Sequence, residues 1–545
     1  MSESWGSDER PGDGPGGVAA SSDGGVEGAR GAGEGVVGVA GGVGDGEGLS
    51  ELVRVAIPAV VTMTSYTVMQ FVDKLIVKEL GPEELTGQGN GAVAAFVFAA
   101  AFIGGLGVIN TYVAQNLGAG KPREGAAYAW NGLWVCVLAW VLVLIPAAVG
   151  LPWIFEGMRG AFGLGAPPGR VPEFEVEYGR ILLGGMVFML MARAVGHFFY
   201  GIHRPGVVMV SAIVANLVNI GLCYVLVLGA FGVPSLGVAG AAVSTVIGGA
   251  VELAIPVCLF LSRRYHERYG TRSSWRVTGR HVRDLWRIGW PGGAMAGNEV
   301  LCWWIFLSGF LPSFDTEETG PVNAHAGQVA LQYMHLSFMP AVGMSIALTS
   351  VVGKQVGAGR MDLARRRSWQ GLGLTACYMG ACALAFVVFR EPMMRLFVKE
   401  GGAGSVAYTA EQIEAIVGIG SVVLIIAACF QLFDGVAIAL SGALRGAGDT
   451  VWPGVATIVL SWTLIVGGGW LMVRFVPELG SYGPWLGATA FLIALAGAFF
   501  WRFLSGAWER FAVVKRDEGE RAAASALEVG VIEAEAEAGA GLGTV

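Results

Sequence analysis

Charge is what this sequence has least of: only 14% of its 545 residues are Asp, Glu, Lys or Arg, and there are six histidines. A water-soluble globular chain carries roughly a quarter charged residues. With 54% hydrophobic residues and a mean hydropathy of +0.60, that scarcity excludes a soluble domain as the bulk of the chain. Long polar stretches are missing too. Between Leu52 and Trp508, apolar runs of about 20 residues, each enough to cross ~30 Å of hydrocarbon, follow one another with short interruptions. No P-loop, nucleophile elbow or metal-ligand cluster is written anywhere, so no enzyme and no bound cofactor are expected, and ion gradients are left as the energy source. The seven cysteines all fall inside apolar runs, where a thiol acts as a small hydrophobe, so no disulfide framework is indicated. Basic residues cluster in loops and much of the acid sits in the tails, which argues against a nucleic-acid partner.

Twelve candidate spans are present, at about 52–78, 90–116, 126–154, 178–200, 206–230, 237–262, 285–310, 325–354, 369–390, 412–442, 452–474 and 484–508. Residues 1–48 are Gly-rich and acidic and have neither the basic start nor the apolar run of a cleavable signal, so a disordered tail in water is expected there. Residues 511–545 form a second tail. Lys121, Arg123, Arg204, the Arg-rich stretch from Arg263 to Arg287, and Arg360 to Arg367 all fall in loops on one side, with acidic loops such as "GPEELTG" opposite. The positive-inside rule then puts both termini in the cytoplasm and the protein in the cell inner membrane.

The chain also repeats itself. "YVAQNLGAGKPREGAAYAWNG" at Tyr112 returns as "VVGKQVGAGRMDLARRRSWQG" at Val351; "VRVAIP" at Pro58 parallels "WRIGWP" at Pro291; "GVAGAA" near Gly240 parallels "GPWLGATA" near Gly487. In each copy of the first pair, glycines let the chain leave a helix with positive φ and a basic residue holds the turn in water. Six spans per copy is an even number, so both copies enter the membrane in the same sense. The expected fold is an all-α polytopic membrane protein, with twelve transmembrane helices in two six-helix lobes related by a parallel pseudo-twofold repeat. The expected divisions are 49–265 for the N-terminal lobe, 266–284 for a basic cytoplasmic linker and 285–510 for the C-terminal lobe.

Acids inside spans are costly, at about 2.5–3.5 kcal/mol near a bilayer centre, and four stand out: Asp73, Glu252, Glu299 and Asp434. Glu299 lies about 21 Å of helical rise past Leu285, and Asp434 about 16 Å before Arg445, so their depths are similar. Asp73 adjoins Lys74 near the far boundary. Glu252 and Arg193 are placed to form a structural pair. Trp303, one turn after Glu299, is a candidate aromatic wall for an organic cation, with packing as the alternative. His197, His325 and His335 suit helix-to-helix hydrogen bonds.

The stretches "VDKLIVKELG", "VAQNLGAG", "NIGLCYVLVLGAFGVPSLGVAGAAVST", "FMPAVGMSIALTSVVGKQVGAGR" and "DGVAIALSGALRGAGDT", in this order, resemble the multidrug and toxic compound extrusion (MATE) transporters over both halves of the chain. The resemblance implies that Glu299 and Asp434, matching the carboxylates of the NorM-type branch, form a cation site in the C-terminal lobe that takes Na⁺ or H⁺. No other metal is implied. It also implies a coupling role for Asp73, joined by Asn219 and Thr245 in a network of the N-terminal lobe. Two departures are visible: Ala326, Gly327 and Gln328 stand where the family has Ala-His-Gln, and Cys223 stands where many members carry an acid or amide.

The function so implied is secondary active efflux of small amphiphilic or cationic, drug-like compounds in exchange for Na⁺ or H⁺, by alternating access, by a monomer in the lipid bilayer. A lipid-linked oligosaccharide flippase of the same superfamily is the runner-up. It calls for a basic cavity, whereas the intramembrane charges here are mainly acidic. A channel or a polytopic membrane enzyme stands further off.

Overall fold

The computed structural model describes residues 45–162, 169–316, 320–397 and 409–514. Most of both expected tails therefore lies outside the described residues. Among the described residues, twelve helices are long and apolar enough to cross a membrane: α1 Leu49–Lys78, α2 Glu83–Gly118, α3 Pro122–Gly160, α4 Val171–Gly201, α5 Pro205–Leu228, α6 Gly237–Phe260, α7 Gly279–Phe314, α8 Val322–Gly357, α9 Met361–Val388, α10 Ala410–Ala447, α11 Val451–Phe475 and α12 Tyr482–Leu504. Each coincides with one expected span. Most start earlier than hydropathy suggests, because their first turns are polar residues that still hydrogen-bond as helix, often behind a proline such as Pro122, Pro172 or Pro205. The connection between lobes opens with a short helix, Arg263–Tyr269, and α7 begins at Gly279 rather than at Leu285. Asp315, at the edge of the acidic insert, caps α8 by accepting from the backbone N–H groups of Asn323 (2.7 Å) and Ala324 (3.2 Å).

The two halves pack alike. In the first, α2 lies against α4, α4 against α6, α5 against α6, and α1 against α5; in the second, α8 lies against α10, α10 against α12, α11 against α12, and α7 against α11. The lobes meet by the pairs α1 with α8 and α7 with α2, which exchange under the same relation. The repeated Gly-Ala-Gly ends share one face of the bundle and touch. A Cβ on Gly118 would stand 2.0 Å from the Lys354 carbonyl oxygen, and one on Gly357 would stand 2.0 Å from that of Gln115. Two residues further on, Gly120 (φ 74°) and Gly359 (φ 77°) make the left-handed exits that the repeat anticipates.

Around that contact, at the end of the molecule rich in Lys and Arg, hydrogen bonds tie the lobes together. Asn110 Nδ2 donates to the Ile346 carbonyl (3.0 Å), Thr111 Oγ1 to that of Arg445 (2.9 Å) and Gln115 Nε2 to that of Gly446 (2.9 Å). Ser350 Oγ donates to the Tyr200 carbonyl (2.6 Å), and Lys354 Nζ pairs with Glu51 (2.7 Å). The Gln115 carboxamide oxygen also accepts from Val513 N (2.9 Å) and Val514 N (3.2 Å) beyond the last helix. The lobes are thus latched together at the basic end.

Candidate functional site

Glu299 rises from the middle of α7. Gly292, Gly293 and Ala296 of that helix pack on the backbone of α2, with Gly293 so close that a Cβ would sit 2.4 Å from the Ala101 carbonyl oxygen. Trp290 and Leu301, both exposed, mark the lipid side of α7. At about 100° per residue, Glu299 points roughly 180° away from both. Glu299 is an exposed residue of the helix, and by this geometry it faces the other helices rather than lipid. Asp434 of α10 is half-buried and close enough to feel the charge of Glu299, so the structure brings the two expected acids together within the C-terminal half.

A polar strut holds this part of α7. Asn298 Nδ2 donates to Ser461 Oγ (2.8 Å), while its carbonyl oxygen accepts from Trp462 Nε1 (2.7 Å) and, at 3.8 Å, from the Cys302 thiol. Ser461 and Trp462 open a π-helical stretch, Ser461–Gly467, in α11, and α7 carries its own at Phe306–Phe310. Such wider turns release backbone groups from the regular ladder and recur near functional sites. On α10, Gln431, one turn before Asp434, donates to Ser337 Oγ of α8 (2.5 Å). Trp303 meets the ring of Phe306 edge to face (5.4 Å) and that of Trp485 at a tilt (6.3 Å), so its packing role is in place, and it borders Glu299 by one turn.

Asp73 is 6% exposed and turned into its own lobe, not outward with Lys74. Its partners are Asn219 and the Cys223 thiol of α5. Asn219 Nδ2 donates to Thr245 Oγ1 of α6 (3.2 Å), and the buried Tyr178 of α4 stands beside Thr245 and Gln88 of α2. Asp73, Asn219 and Thr245 thus meet as the resemblance implied, and Gln88 and Tyr178 complete the cluster. Sequence reading passed over Gln88 because the expected second span opens only at residue 90, whereas α2 already runs through it; Tyr178 carries no charge to draw notice. Three buried acceptors here have no donor among the described residues: Asp73 Oδ1, Gln88 Oε1 and Asn219 Oδ1. Buried oxygens without donors fit a cation or a proton.

A third group lies toward the basic end of the same lobe. Tyr66 of α1 donates its hydroxyl to Glu252 of α6, and the Arg193 guanidinium of α4 sits 4.1 Å over the Tyr66 ring. Glu252 and Arg193 are therefore linked through the tyrosine, which no spacing in the sequence announces because the three come from three helices.

Fold and sites together define a two-lobed, twelve-helix membrane transporter with inward-facing acids in both lobes. The MatE family matches residues 58–225 and 305–470, one stretch in each half, and the chain belongs to this family. It is 30% identical over 468 residues, 83% of this chain and 94% of the other, to a probable multidrug resistance protein NorM of Pseudomonas putida. It is 26% identical to a protein of the same description in Thermotoga maritima, over 86% of this chain and 94% of that one. Among solved structures, a MOP superfamily transporter from Pyrococcus furiosus superposes with a TM-score of 0.74 at 22% identity, covering 85% of this chain and 97% of that one. A eukaryotic MATE transporter, AtDTX14, superposes at 0.72 and 19% identity, with the same coverage. These structures share the fold.

Proposed function

We propose that this protein is a multidrug efflux transporter, exporting small amphiphilic or cationic compounds in exchange for Na⁺ or H⁺ by alternating access. The observation that carries the reading is the pair Glu299 and Asp434, two acids from different helices of one lobe on the side away from lipid. Like charges in a low-dielectric site repel, so a bound cation or a proton favours whichever arrangement holds the two closest. That differential affinity couples the ion to the balance between inward-open and outward-open states. The latch at the basic end then belongs to the outward-open state of a protein whose termini are cytoplasmic and which lies in the inner membrane as a monomer. The relatives described as multidrug resistance proteins NorM support drug-like compounds as the substrate class.

One cation moving inward through 100 mV releases about 2.3 kcal/mol, enough for a roughly fiftyfold uphill gradient of a neutral solute. The test is efflux of a cationic dye from proteoliposomes under separately imposed Na⁺ and H⁺ gradients. Dye movement should follow one of them; movement indifferent to both would overturn ion coupling.

A further inference from the structure

The lipid side of α7 carries a row of charge that the coupling scheme does not use. Arg280, Arg283 and Arg287 are exposed there, together with Trp290 and with Trp286, which is 71% exposed. At about 100° per residue these five fall within about 120° of one another, around the direction of Leu301 further along the helix. The buried residues of the same turns, His281, Leu285 and Gly289, point the other way. Among the described residues, no carboxylate forms an ion pair with any of the three arginines. Asp284, on the same turns, accepts from the Tyr128 hydroxyl of α3 (3.1 Å), and Glu124 of α3 faces His281 (3.2 Å). The linker before α7 extends the patch. Trp130 Nε1 donates to the Thr271 carbonyl (2.6 Å), Trp134 Nε1 to that of Trp275 (2.9 Å), and Thr278 N to Asn131 Oδ1 (3.0 Å), which ties the linker to α3 and leaves Trp275, Arg276 and Val277 exposed.

A place at the basic end does not by itself account for this row, because the repeat supplies a control. α1 is the counterpart of α7 and also has an outer side, with Arg54 and Ile57 exposed. With Pro58 set on Pro291, Arg287 corresponds to Arg54, but Arg280, Arg283, Trp286 and Trp290 correspond to Glu47, Ser50, Val53 and Ile57. Only α7 is furnished with the arginines and the aromatic pair.

We propose that this face of α7 binds an anionic phospholipid, with Arg280, Arg283 and Arg287 holding the phosphate, Trp286 and Trp290 packing below it, and the acyl chain running toward Leu301. The order along the helix, arginine then tryptophan then leucine, matches the order of headgroup, interface and hydrocarbon in a leaflet. From Arg287 to Leu301 is about 21 Å of helical rise, comparable with one leaflet and its headgroups, roughly 20 Å. Guanidinium groups suit a phosphate because each offers two parallel donors in a fixed plane. Glu299 stands on the opposite side of the same helix, so the lipid leaves the ion site free. The linker is tied to α3 of the first lobe and α7 belongs to the second, so a headgroup held here spans the seam between the lobes.

The test counts lipids on the full-length protein in detergent by native mass spectrometry, with phosphatidylglycerol and phosphatidylcholine of identical acyl chains. Each arginine beside an anionic headgroup is worth about a fivefold change in affinity, so wild type should hold its first phosphatidylglycerol about tenfold or more tighter than its first phosphatidylcholine. The triple variant Arg280→Gln, Arg283→Gln, Arg287→Gln should bring that preference near one. Arg283→Gln alone should lower it by about fivefold, and decides the matter if the triple variant does not fold. Removing the same charge elsewhere, by Arg263→Gln, Arg264→Gln, Arg268→Gln on the short helix before the linker, should leave the preference in place. A wild-type preference near one, a preference that survives the α7 variants, or one lost equally in the short-helix triple would overturn the site. Trp286→Ala should weaken both lipids alike, and unchanged binding would remove the tryptophan from the site. If inorganic phosphate at the concentration of the lipid displaces phosphatidylglycerol, the arginines take a free anion and the lipid assignment falls.

Discussion

The two lobes are built on one plan and furnished differently. Helix for helix their packing pairs exchange, and even the close contacts at Gly118 and Gly357 are reciprocal. Inside, however, Asp73 of the N-terminal lobe stands among neutral oxygens and the Cys223 thiol, apart from the buried Glu175 and Glu252 of the same lobe. The C-terminal lobe holds two acids, Glu299 accessible and Asp434 half-buried, beside an Asn298 strut anchored on a π-helical stretch. The difference teaches that the apolar ridges and small residues fix how helices approach, while the few polar side chains that face inward decide what each lobe binds. Packing tolerates duplication; chemistry need not follow it.

The sharpest way to break the comparison is to remove one charge from each lobe. Glu299→Gln and Asp434→Asn should each cut gradient-driven efflux more than about tenfold, with the double variant little worse, because either change dissolves the same repulsion that ion binding relieves. Asp73→Asn should cost less, since no second acid stands beside it. Efflux assays in proteoliposomes, at matched expression and retention volume, decide this; equal losses in all three would mean that both lobes carry the coupling.

The reciprocal glycines test whether the shared plan is symmetric in energy as well as in shape. Gly118→Ala and Gly357→Ala each drive a methyl to 2.0 Å from a backbone oxygen of the opposite lobe, a clash that helix backbones relieve only by moving apart. Overpacking of this kind costs about 1–3 kcal/mol, and here the cost falls on the latched state. Both variants should label more readily at a cysteine placed at Ala114, buried beside the latch, and by similar amounts. A large difference between them would show that only one of the two contacts seals.

Much of this was legible in the sequence because it was written in apolar runs and in repeated glycines. Twelve spans, the parallel repeat and the shared face of the two Gly-Ala-Gly ends follow from length, parity and charge, and the structure shows them all. The pairing of Glu299 with Asp434, and the company of Asp73, came from resemblance, since no local rule brings α7 to α10 or α1 to α5. Polar partners that carry no charge stayed hidden, as Gln88 and Tyr178 show, and so did the link from Arg193 through Tyr66 to Glu252. Their meaning depends on which helices meet, and that is tertiary information.

Cys223 offers a chemical exchange between the lobes. Its thiol adjoins Asp73, so Cys223→Asp would give the N-terminal lobe a second carboxylate beside the first, as the C-terminal lobe already has. The pair should then favour a bound cation or a shared proton. Efflux by this variant should depend more steeply on the driving ion, by about a fewfold in half-saturating concentration, and should partly survive Glu299→Gln. No change in ion dependence would place the N-terminal cluster outside the coupling path.

The smallest effect is expected at the latch, where the same register is occupied by a charge in one lobe and by an amide in the other. Lys354 stands three residues before Gly357 and pairs with Glu51; Gln115 stands three before Gly118 and bonds Gly446, Val513 and Val514 through neutral groups. The ion pair is partly open to solvent, with side chains 36% and 28% exposed, so its worth is no more than about 1 kcal/mol and salt screens it. Gln115 is fully buried, and removing it strands two backbone donors and an acceptor, which costs more. A double-mutant cycle between Glu51→Gln and Lys354→Met, read as thermal stability in 0.05 M and then 0.5 M KCl as working concentrations, should give a coupling that shrinks with salt. Gln115→Ala should lower stability by a salt-independent amount. If the ion-pair coupling holds at high salt, the latch is drier than its exposure implies, and Lys354 would rank with Gln115 in holding the basic end shut.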